Sequence, residues 1–560
     1  MVVMSGAEAL VKALEKQGVK VIFGIPGGAI LDIFDALAGS SIRTILTRHE
    51  QCAAHAADGY ARASGQVGVC MATSGPGATN LVTGIATAYM DSSPVVAFTG
   101  QVPRRLIGRD AFQEADIIGI TCPITKHNFM VERASDMLLI VEKAFHIASS
   151  GRPGPVLVDI PKDVQIESTD VMNVEGGPKT TFHQPNYSPH PLQVKRAAQL
   201  LASAEKPMII AGGGVIASNA SQELLAVAEL LMAPVATTLM GKGAIPENHP
   251  LATGLLGMHG TVASNKLVQE ADVVLAVGTR FSDRTTGKMD EFCPDAKIIH
   301  IDIDAAEIGK NIEADVPIVA DAKKALQEIY KLLSTGIVKK ERTAFLAKIK
   351  ELKEQLEWKA SCESGLKPPR LMAEIRQILP EDAIVTTEVG QNQMWAAIYL
   401  KVYKPRTFIS SGGLGTMGFG FPAALGAKVA QPEVPVVDIA GDGSFIMTEQ
   451  DLATSVKENI PVTVVVLNNS VLGMVAQWQR LFYNRRYFAV NLGRVPDFVK
   501  LAEAYGAQGF RVQNLKEFCS VFKKAIKSDV TTVIDVPISP EENVLPMVPP
   551  GKGLKWMIWG

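Results

Sequence analysis

The stretch VPVVDIAGDGS, residues 434–444, decides the fold of this 560-residue chain. Its first seven residues form a short, mostly apolar run typical of a buried strand, so the acidic, glycine-rich turn follows at the C-terminal end of that strand. A second apolar run, IPVTVVVL at residues 460–467, ends at Asn468 and Asn469. Residues 449–457 between the two runs have helical character. The pattern predicts a strand–helix–strand unit with a parallel pair of strands.

Both turns of this unit are expected at one edge of the sheet, where open α/β sheets bind ligands. The Asp442 carboxylate and an amide oxygen of Asn469 would converge there, and hard oxygen donors of this kind suit Mg²⁺ bridged to a phosphate. Either turn alone is also common punctuation in α/β proteins. The pair, each placed after a buried strand, favours a binding site and resembles the diphosphate- and metal-binding motif of thiamine diphosphate (ThDP) enzymes.

Composition excludes several classes of protein. A formal net charge of −2 gives no basic surface for nucleic acid. No apolar stretch reaches the roughly 18 residues of a membrane span, and the first residues run directly into a helix-capping pattern at Ser5, so we expect no signal or transit peptide. The six cysteines form no CxxC pair. We expect buried, reduced thiols and a cytoplasmic location.

The order of helix and strand signals predicts three doubly wound α/β domains with parallel sheets. The expected boundaries are 1–166, 190–335 and 367–540, followed by an extended arm at 541–560. Residues 167–191 lose periodicity and fill with Gly, Pro, Thr, His and Asn, as a linker does. Residues 339–358 are charged and helix-prone, which indicates a connector.

Two glycine-rich turns of the first domain, FGIPGG at 23–28 and TSGPGATN at 73–80, each follow a predicted strand and precede a helix. Such turns expose backbone N–H groups to an anion or a polar ring, although each is also a plain tight connection. Glu50 begins an Ala-rich helix between them. A carboxylate there is favoured by the helix dipole alone, but ThDP chemistry needs one carboxylic acid to hydrogen-bond the pyrimidine nitrogen, and Glu50 is the candidate.

The middle domain carries GGGVIA at 212–217, which fits the dinucleotide fingerprint G-x-G-x-x-A. No acidic residue is well placed about 20 positions further on, so an NAD dehydrogenase is not favoured, while phosphate or adenine binding stays open. The third domain contains GGLGTMGFG at 412–420, expected as a loop packed on a ligand or another subunit. No Walker A loop, Ser/His/Asp signature or HExxH motif is present.

Motifs along nearly the whole chain resemble those of the catalytic large subunit of acetohydroxyacid synthase, also called acetolactate synthase. The ThDP motifs are shared with the wider superfamily, whereas FQE at 112–114, GMHG at 257–260 and MVAQW at 474–478 resemble the biosynthetic synthase. The other matching stretches are GIPGGAI at 24–30, RHEQ at 48–51, SGPGATN at 74–80, GRPGP at 151–155, GTRF at 278–281 and GDGSF at 441–445.

The resemblance implies an activity and its cofactors. Pyruvate would be decarboxylated on ThDP, and the hydroxyethyl group would pass to a second pyruvate or to 2-oxobutyrate. The products are 2-acetolactate and 2-aceto-2-hydroxybutyrate, precursors of valine, leucine and isoleucine. ThDP, Mg²⁺ and FAD are the implied cofactors. A homodimer or homotetramer with its active site between subunits is implied as well, since Glu50 and Asp442 would come from different chains, and a small regulatory subunit is the usual partner.

The resemblance also assigns site residues. Those implied in catalysis are Glu50, Gln113, Lys162 and Trp478. Those implied in the substrate pocket are Gly28, Phe112, Asp283, Arg284 and Met474. For ThDP they are Glu50, Gly390, Gln391, Asn392, Gly415, Met417, Asp442, Gly443, Ser444 and Asn469. For the metal they are Asp442, Asn469 and the backbone near Val471. For FAD they are Arg152, Gly212, Gly213, Gly214, Gly257, Met258, Arg280, Asp302 and Asp321.

Two features depart from the family pattern. The expected Phe-Asp-Asp-Arg run is Phe281-Ser282-Asp283-Arg284 here, and the ending Lys555 to Gly560 matches nothing assignable. The main alternative function is an FAD-dependent pyruvate oxidase, which shares the three-domain plan. Glyoxylate carboligase is disfavoured because that group lacks the glutamate found here as Glu50, and a non-enzymatic homologue would be expected to lose Glu50, Asp442 or Asn469.

Overall fold

The computed structural model describes residues 3–170, 186–336, 342–362 and 365–559. They fold around three six-stranded parallel sheets flanked by helices. The buried strands are continuous apolar runs because helices cover both faces of each sheet. The α/β fold class predicted from the sequence is therefore confirmed.

The N-terminal sheet has the strand order β3-β2-β4-β5-β7-β6. Its strands are β2 (Val21–Gly24), β3 (Arg43–Leu46), β4 (Gly68–Ala72), β5 (Val95–Gln101), β6 (His127–Met130) and β7 (Val156–Pro161). The α-helices around it are Gly6–Lys16, Leu31–Ala38, Glu50–Ser64, Pro76–Asn80, Val82–Met90, Ile117–Thr121, Met137–Ser149 and Lys162–Ile166. The strand order reverses between β2 and β4, which opens a crevice at the carboxyl ends of the strands.

The middle sheet has the order β11-β10-β9-β12-β13-β14. Its strands are β9 (Pro207–Ala211), β10 (Val235–Thr237), β11 (Ala252–Leu255), β12 (Val273–Val277), β13 (Lys297–Asp302) and β14 (Val316–Val319). The associated α-helices are Pro191–Ser203, Gly213–Ala217, Ser221–Leu231, Val262–Gln269, Asp283–Thr286 and Ala322–Gly336, and the connector contains Thr343–Cys362.

The third sheet has the order β16-β15-β17-β18-β20-β19. Its strands are β15 (Ile384–Thr387), β16 (Phe408–Ser410), β17 (Val436–Gly441), β18 (Thr463–Asn468), β19 (Gln508–Arg511) and β20 (Thr532–Pro537). Its α-helices are Pro368–Ile378, Gln391–Tyr399, Gly420–Ala430, Asp442–Phe445, Leu452–Lys457, Gly473–Phe482, Phe498–Ala504 and Leu515–Ala525.

The unit predicted from residues 434–467 is present. Strands β17 and β18 pair in parallel with Ala440 opposite Val466, and a helical segment connects them. Asp442 and Asn469 come directly after the ends of these strands. The two candidate metal ligands therefore emerge at one edge of the sheet, as the sequence predicts.

Three local predictions differ from the structure. The single helix expected after the TSGPGATN turn is two helices, and the first of them, Pro76–Asn80, begins within the turn and is followed by Val82–Met90. The expected linker begins with strand β8 (Ser168–Asp170), which pairs antiparallel with β1 (Val3–Ser5), and its residues 171–185 lie outside the described residues. The C-terminal arm (residues 541–559) is irregular apart from a 3-10 turn at Leu554–Trp556, and it buries Val544, Met547, Val548 and Leu554.

The cysteine prediction is partly wrong. The structure describes the side chains of five of the six cysteines, and all five are free thiols. Cys52, Cys70 and Cys293 are buried as expected, but Cys122 is exposed and Cys519 is half-buried.

Among the helices that the structure describes, none is long and apolar enough to cross a bilayer.

Two helices bring the first and third sheets together. Helix Glu50–Ser64 crosses helix Gly420–Ala430 with almost no space between the backbones: a Cβ on Gly59 would lie 2.2 Å from the Ala423 carbonyl oxygen, and one on Gly426 would lie 1.8 Å from that of Ala56. Glycine is needed at both positions because any side chain would push the helices apart. The contact fixes the first turn of one helix, which holds Glu50, relative to the third sheet.

We expect Gly426→Ala to destabilise the protein by about 1–3 kcal/mol or more, since overpacking a close contact costs that much. Thermal unfolding of the variant and the parent should show a lower midpoint for the variant. Gly39→Ala is the matched control, because the nearest atom to a Cβ there is 3.7 Å away. Equal midpoints for Gly426→Ala and Gly39→Ala would contradict the packing argument.

Candidate active site

Glu50 lies over the second glycine-rich turn of the N-terminal sheet. It is the first residue of its helix, whose N-terminus is capped by the His49 ring accepting a hydrogen bond from the Gln51 N–H. The carboxylate is 8% exposed and accepts a hydrogen bond of 2.9 Å from Asn80. Gly77 comes so close that a Cβ there would lie 3.3 Å from the other carboxylate oxygen.

Three further predicted residues meet at the same edge of the N-terminal sheet. Lys162 donates a hydrogen bond of 2.7 Å to the Gly28 carbonyl, and the Gln113 backbone lies against Gly75, where a Cβ would come within 2.9 Å of the Gln113 Cα. Phe112, next to Gln113, is 88% exposed. We call Gly28, Glu50, Gln113 and Lys162 the N-terminal cluster.

Asp159 is a buried acid beneath this cluster that sequence reasoning missed. It accepts hydrogen bonds from the Thr99 hydroxyl at 2.7 Å and from the Gln101 amide at 2.9 Å, and Gln101 also donates to the carbonyl of Ala115, two residues after Gln113. Burial raises the pKa of Asp159 to about 7, although the hydrogen bonds from Thr99 and Gln101 oppose the shift. Asp159 thus supports the loop that carries Gln113.

Asp442 and Asn469 lie at the same edge of the third sheet, each directly after a strand. The Asp442 carboxylate is buried and accepts hydrogen bonds from the Ser470 N–H at 2.6 Å and the Gly443 N–H at 2.9 Å. Burial raises the pKa of Asp442 to about 6. The Asn469 side-chain oxygen accepts from the Val471 N–H at 3.2 Å. In the described residues no group of three or more His, Cys, Asp or Glu could hold a metal, so this mixed set of oxygen donors is the candidate.

Glu388 directly precedes the loop at residues 389–392, whose Gly390, Gln391 and Asn392 are predicted to bind ThDP, and it joins three loops of the third sheet. One carboxylate oxygen accepts from the Ser444 hydroxyl at 2.6 Å and from the Gly418 N–H at 2.9 Å, and the other accepts from the Phe421 N–H at 3.0 Å. The side chain is completely buried. Glu388 therefore holds the GDGSF turn against the GGLGTMGFG loop.

A second buried acid, Asp438, lies beside Glu388. Burial raises the pKa of both carboxyls, and the charge of Glu388 raises that of Asp438 further, well above its usual range. Because Glu388 accepts hydrogen bonds at both oxygens, we assign the negative charge to Glu388 and the proton to Asp438. The only described partner of the Asp438 side chain is the Thr386 hydroxyl, at 3.1 Å.

Hydrogen bonds hold the loop at residues 389–392, which is predicted to bind the diphosphate, in place. Gly390 has φ +149°, which favours glycine, and it precedes the helix Gln391–Tyr399. Asn392 donates to the carbonyls of Glu388 and Ile439, so its amide ties the ends of two strands together. Gln391 donates to Gln477 at 2.9 Å and to the Glu542 carbonyl of the C-terminal arm at 2.8 Å. These contacts leave backbone N–H groups at a helix N-terminus for an anion.

A cavity of about 1030 Å³ extends from the middle sheet to this loop. Predicted residues from all three groups line it: Arg152, Gly213, Gly214, Met258, Arg280, Asp302 and Asp321 from the FAD set, Asp283, Arg284, Met474 and Trp478 from the substrate and catalytic sets, and Gly390, Gly415 and Met417 from the ThDP set. Gly212 and Gly257 lie just behind its wall, where a Cβ on either would come within 2.1 Å of a carbonyl oxygen.

The cavity carries opposing charges. Burial lowers the pKa of Arg280, and the positive charge of Arg152 lowers it further. Arg152 pairs with Glu307 at 2.7 Å and Asp304 at 3.3 Å, and burial raises the pKa of Asp302 to about 6. Two neighbouring arginines suit an anionic group such as a diphosphate. Acids at the end of β13 suit sugar hydroxyls.

The predicted residues thus fall into three places: the N-terminal cluster, the loops that carry Asp442 and Asn469, and the cavity. The hydrogen bonds of the N-terminal cluster stay among the loops of the first sheet, and those of Asp442 and Asn469 stay among the loops of the third. Neither the N-terminal cluster nor Asp442 lines the cavity.

Comparison with known proteins supplies the family. The chain matches the thiamine pyrophosphate enzyme N-terminal TPP-binding domain at residues 4–120, the central domain at 194–329 and the C-terminal TPP-binding domain at 388–536. A "Probable acetolactate synthase large subunit" of Methanocaldococcus jannaschii is 54% identical, covering 98% of this chain and 94% of the relative.

This chain belongs to the family of acetolactate synthase large subunits. The acetolactate synthase large subunit IlvB1 of Mycobacterium tuberculosis is 50% identical, over 98% of this chain and 90% of its own length. The large subunit of Buchnera aphidicola is 46% identical, over 100% and 99%. Membership in the acetolactate synthase family and its ThDP-binding domains confirms the resemblance inferred from the sequence motifs.

We expect the stabilising effect of Asp159→Asn to grow with pH. An acid whose pKa rises on folding stabilises the fold below its unfolded pKa near 4, and this stabilisation is lost as the pH rises through about 7. The amide of the variant does not ionise, so the variant escapes this loss in free energy of unfolding, which amounts to at most about 4 kcal/mol. Its unfolding midpoint relative to the parent should therefore increase between pH 5 and pH 8.

Asp163→Asn is the control for that pH dependence. Partial burial acts to raise the pKa of Asp163, but hydrogen bonds from Arg104 outweigh it and lower the pKa. This variant should be less stable than the parent by the same amount at pH 5 and at pH 8, because the Asp163 carboxyl of the parent is ionised in both the folded and the unfolded state across that range. A difference for Asp159→Asn that stays constant from pH 5 to pH 8 would show that the carboxyl is ionised throughout.

Glu388→Gln should weaken ThDP binding in the presence of Mg²⁺ by roughly 10–100-fold, because a glutamine must turn its NH₂ group toward one set of donors and lose charged hydrogen bonds of about 1.5–3 kcal/mol. Fluorescence titration with ThDP measures the change. Asp438→Asn is the control, since that side chain touches none of the three loops through a described hydrogen bond. Unchanged affinity in Glu388→Gln would refute the role of Glu388 in ordering them.

Proposed function

We propose that this protein is a ThDP-dependent acetolactate synthase that joins two molecules of pyruvate, or pyruvate and 2-oxobutyrate, with loss of CO₂. The observation that carries the proposal is the pairing of Asp442 with the Asn469 loop at one strand edge, in a chain whose Glu50 is buried beside a glycine-rich turn. Full-length similarity to acetolactate synthase large subunits supports the same activity.

The third sheet would hold the diphosphate end of the cofactor. Asp442 and Asn469 would bind Mg²⁺ together with the backbone near Val471, and the two oxygens of Asp442 are already oriented by backbone N–H groups. Gly390, Gln391 and Asn392 would present backbone N–H groups to the diphosphate, assisted by Gly443 and Ser444. When bound, ThDP would supply the carbanion chemistry needed to decarboxylate pyruvate, and these residues would hold its diphosphate.

The reactive end of the cofactor would lie between the N-terminal cluster and the loops that carry Asp442 and Asn469. Glu50 would hydrogen-bond the pyrimidine nitrogen, since its carboxyl is buried and Asn80 donates to one of its oxygens. The backbone of Gly415, at φ +69°, would face the 4′-amino group. Met417 would pack beneath the rings and keep them bent.

The substrate residues come from both sides. Gly28, Phe112, Gln113 and Lys162 would approach from the N-terminal cluster. Asp283, Arg284, Met474 and Trp478 would approach from the cavity, where Asp283 and Arg284 form an exposed ion pair of 3.0 Å. The Trp478 ring stands edge-on to Phe482 at 6.4 Å and gives the acceptor pocket an aromatic wall. Such a wall can favour the extra methylene of 2-oxobutyrate by about 1–3 kcal/mol.

FAD is proposed for the cavity of the middle sheet. Gly213 and Gly214 line this cavity, and Gly212 and Gly214 pack so closely on the next loop that a Cβ on Gly214 would lie 2.6 Å from the Gly278 Cα. Arg152 and Arg280 would face its diphosphate, Asp302 and Asp321 its sugar hydroxyls, and Gly257 and Met258 its remaining edge. In this proposal the flavin has a structural role and no part in electron transfer.

A homodimer or homotetramer would complete the site, with the N-terminal cluster of one subunit facing the third sheet of another. The 88% exposure of Phe112, and the 50% exposure of Met447 near the GDGSF turn, support a partner surface at these edges. A small regulatory subunit, the domain boundaries at 1–166, 190–335, 367–540 and 541–560, and a cytoplasmic location remain predictions.

Product analysis tests the proposal. Purified protein would be incubated with pyruvate, ThDP, Mg²⁺ and FAD while acetolactate and oxygen uptake are measured together. Acetolactate without oxygen uptake establishes the synthase, and competition with 2-oxobutyrate then tests Trp478. Acetate or acetyl phosphate with stoichiometric oxygen uptake would identify a pyruvate oxidase and reject the synthase.

Glu50→Gln and Asp442→Ala should fail in different ways. Glu50→Gln is expected to lower kcat by at least 100-fold with little loss of ThDP affinity, because general acid–base assistance contributes about that much. Asp442→Ala should abolish Mg²⁺-dependent ThDP binding. Titration with ThDP and single-turnover kinetics separate the two. Full turnover in Glu50→Gln, or retained affinity in Asp442→Ala, would reject the assigned role.

A further inference from the structure

Asp91 connects the glycine loop of the third sheet to the N-terminal domain. It follows helix Val82–Met90, and its carboxylate accepts hydrogen bonds from the Gly413 N–H at 2.6 Å and the Gly412 N–H at 3.1 Å. The loop packs closely on the end of that helix, since a Cβ on Gly413 would lie 2.7 Å from the Met90 carbonyl oxygen. Gly415, proposed to face the 4′-amino group of ThDP, is two residues further along the loop.

Arg62 fixes the Asp91 carboxylate from behind. Its guanidinium donates to Asp91 at 3.0 Å, to Asp58 at 2.7 and 3.0 Å, and to the Ser410 carbonyl at 2.7 Å. The side chains of both aspartates are fully buried, and 13% of the Arg62 side chain is exposed. Removing one member of such a buried ionic group leaves charge unpaired, so the group resists rearrangement.

Ser92, the next residue, connects Asp91 to the proposed flavin cavity. Its hydroxyl accepts a hydrogen bond of 2.9 Å from Arg152, and its backbone is left-handed at φ +58°. The same Arg152 guanidinium pairs with Glu307 and Asp304. Arg62, Asp91, Ser92 and Arg152 all line the cavity. A continuous chain of contacts therefore runs from Arg152 through Ser92 and Asp91 to Gly412 and Gly413.

We propose that Asp91 and Ser92 are positioning residues through which an occupant of the cavity favours the ThDP-binding conformation of the loop at residues 412–418. An anionic ligand that engages Arg152 competes with Glu307 and Asp304 for the guanidinium, and Ser92 passes the change in Arg152 to the carboxylate that holds the loop. This inference rests on the proposed function, because it takes FAD as the ligand of the cavity. A flavin that transfers no electrons would then still affect catalysis, through its effect on ThDP binding.

Coupling of this kind is reciprocal and measurable as a ratio of affinities. Cofactor-free protein would be titrated with ThDP in Mg²⁺, with and without saturating FAD, following tryptophan fluorescence, and with FAD by flavin fluorescence. We expect FAD to tighten ThDP binding about tenfold in the parent, within the usual range of such couplings. In Asp91→Asn the ratio should fall to less than about twofold, while FAD affinity changes little.

Asp58→Asn is the matched control. The substitution removes the other carboxylate that pairs with Arg62, but Asp58 touches neither Gly412 nor Gly413 through a described hydrogen bond. The variant should therefore have a lower unfolding midpoint, as Asp91→Asn does. Its ThDP affinity should still increase with FAD as much as in the parent. Ser92→Ala removes the hydrogen bond between Ser92 and Arg152 and leaves the Asp91 contacts in place. It should also abolish the effect of FAD on ThDP affinity. This milder variant serves if Asp91→Asn does not fold.

The outcomes separate the inference from the proposed function. The coupling is overturned if the parent binds both cofactors without any change in ThDP affinity. It is also overturned if FAD tightens ThDP binding in Asp91→Asn or Ser92→Ala as much as in the parent. Neither result contradicts the proposed synthase activity. A loss of the ratio in Asp58→Asn equal to that in Asp91→Asn also overturns the coupling, because the effect would then be general destabilisation. A parent that binds no FAD rejects the flavin assignment itself.

Discussion

The candidate cofactor site depends on one buried charge. Glu388 ends an apolar strand inside the third domain, where an ionised carboxylate would be unstable without partners. Three donors from two other loops satisfy it, and the N-terminus of helix Gly420–Ala430 lies against it. The carboxylate and the loops stabilise one another: the charge needs the N–H groups, and the glycine loop needs the charge to hold a single conformation. The positions of Met417 and Ser444 follow from that contact.

The sequence predicts the architecture well because the strands of parallel sheets are continuous apolar runs. The runs before Asp442 and Asn469 are strands β17 and β18, and the parallel pairing follows from their order and the helix between them. Motif residues are also well placed, since glycines and a charged residue after a strand must lie at the ligand-binding edge. Glu50 and Asp442 are candidates of this kind.

The supporting residues could not be found from local pattern. Glu388, Asp159 and Asp91 act through backbone groups that are far away in sequence, and only the folded chain brings these together. One signal was available: Asp159 and Asp438 each interrupt an apolar strand, and Glu388 ends one, and a buried acid in such a place requires partners. The ending after Lys555, unlike any known pattern, also has partners in the structure: Lys555 pairs with Glu291 at 3.2 Å, and Lys266 lies over the Trp559 ring.

The crossing of Gly59 and Gly426 limits how this protein can evolve. With backbone against backbone, no side chain there can be exchanged to alter the angle between the first and third domains. Adaptation to another substrate is therefore confined to the loops at the strand ends, while the axis between the domains stays constant. A lineage that changed the axis would have to rebuild both helices at once, which is a barrier to gradual divergence.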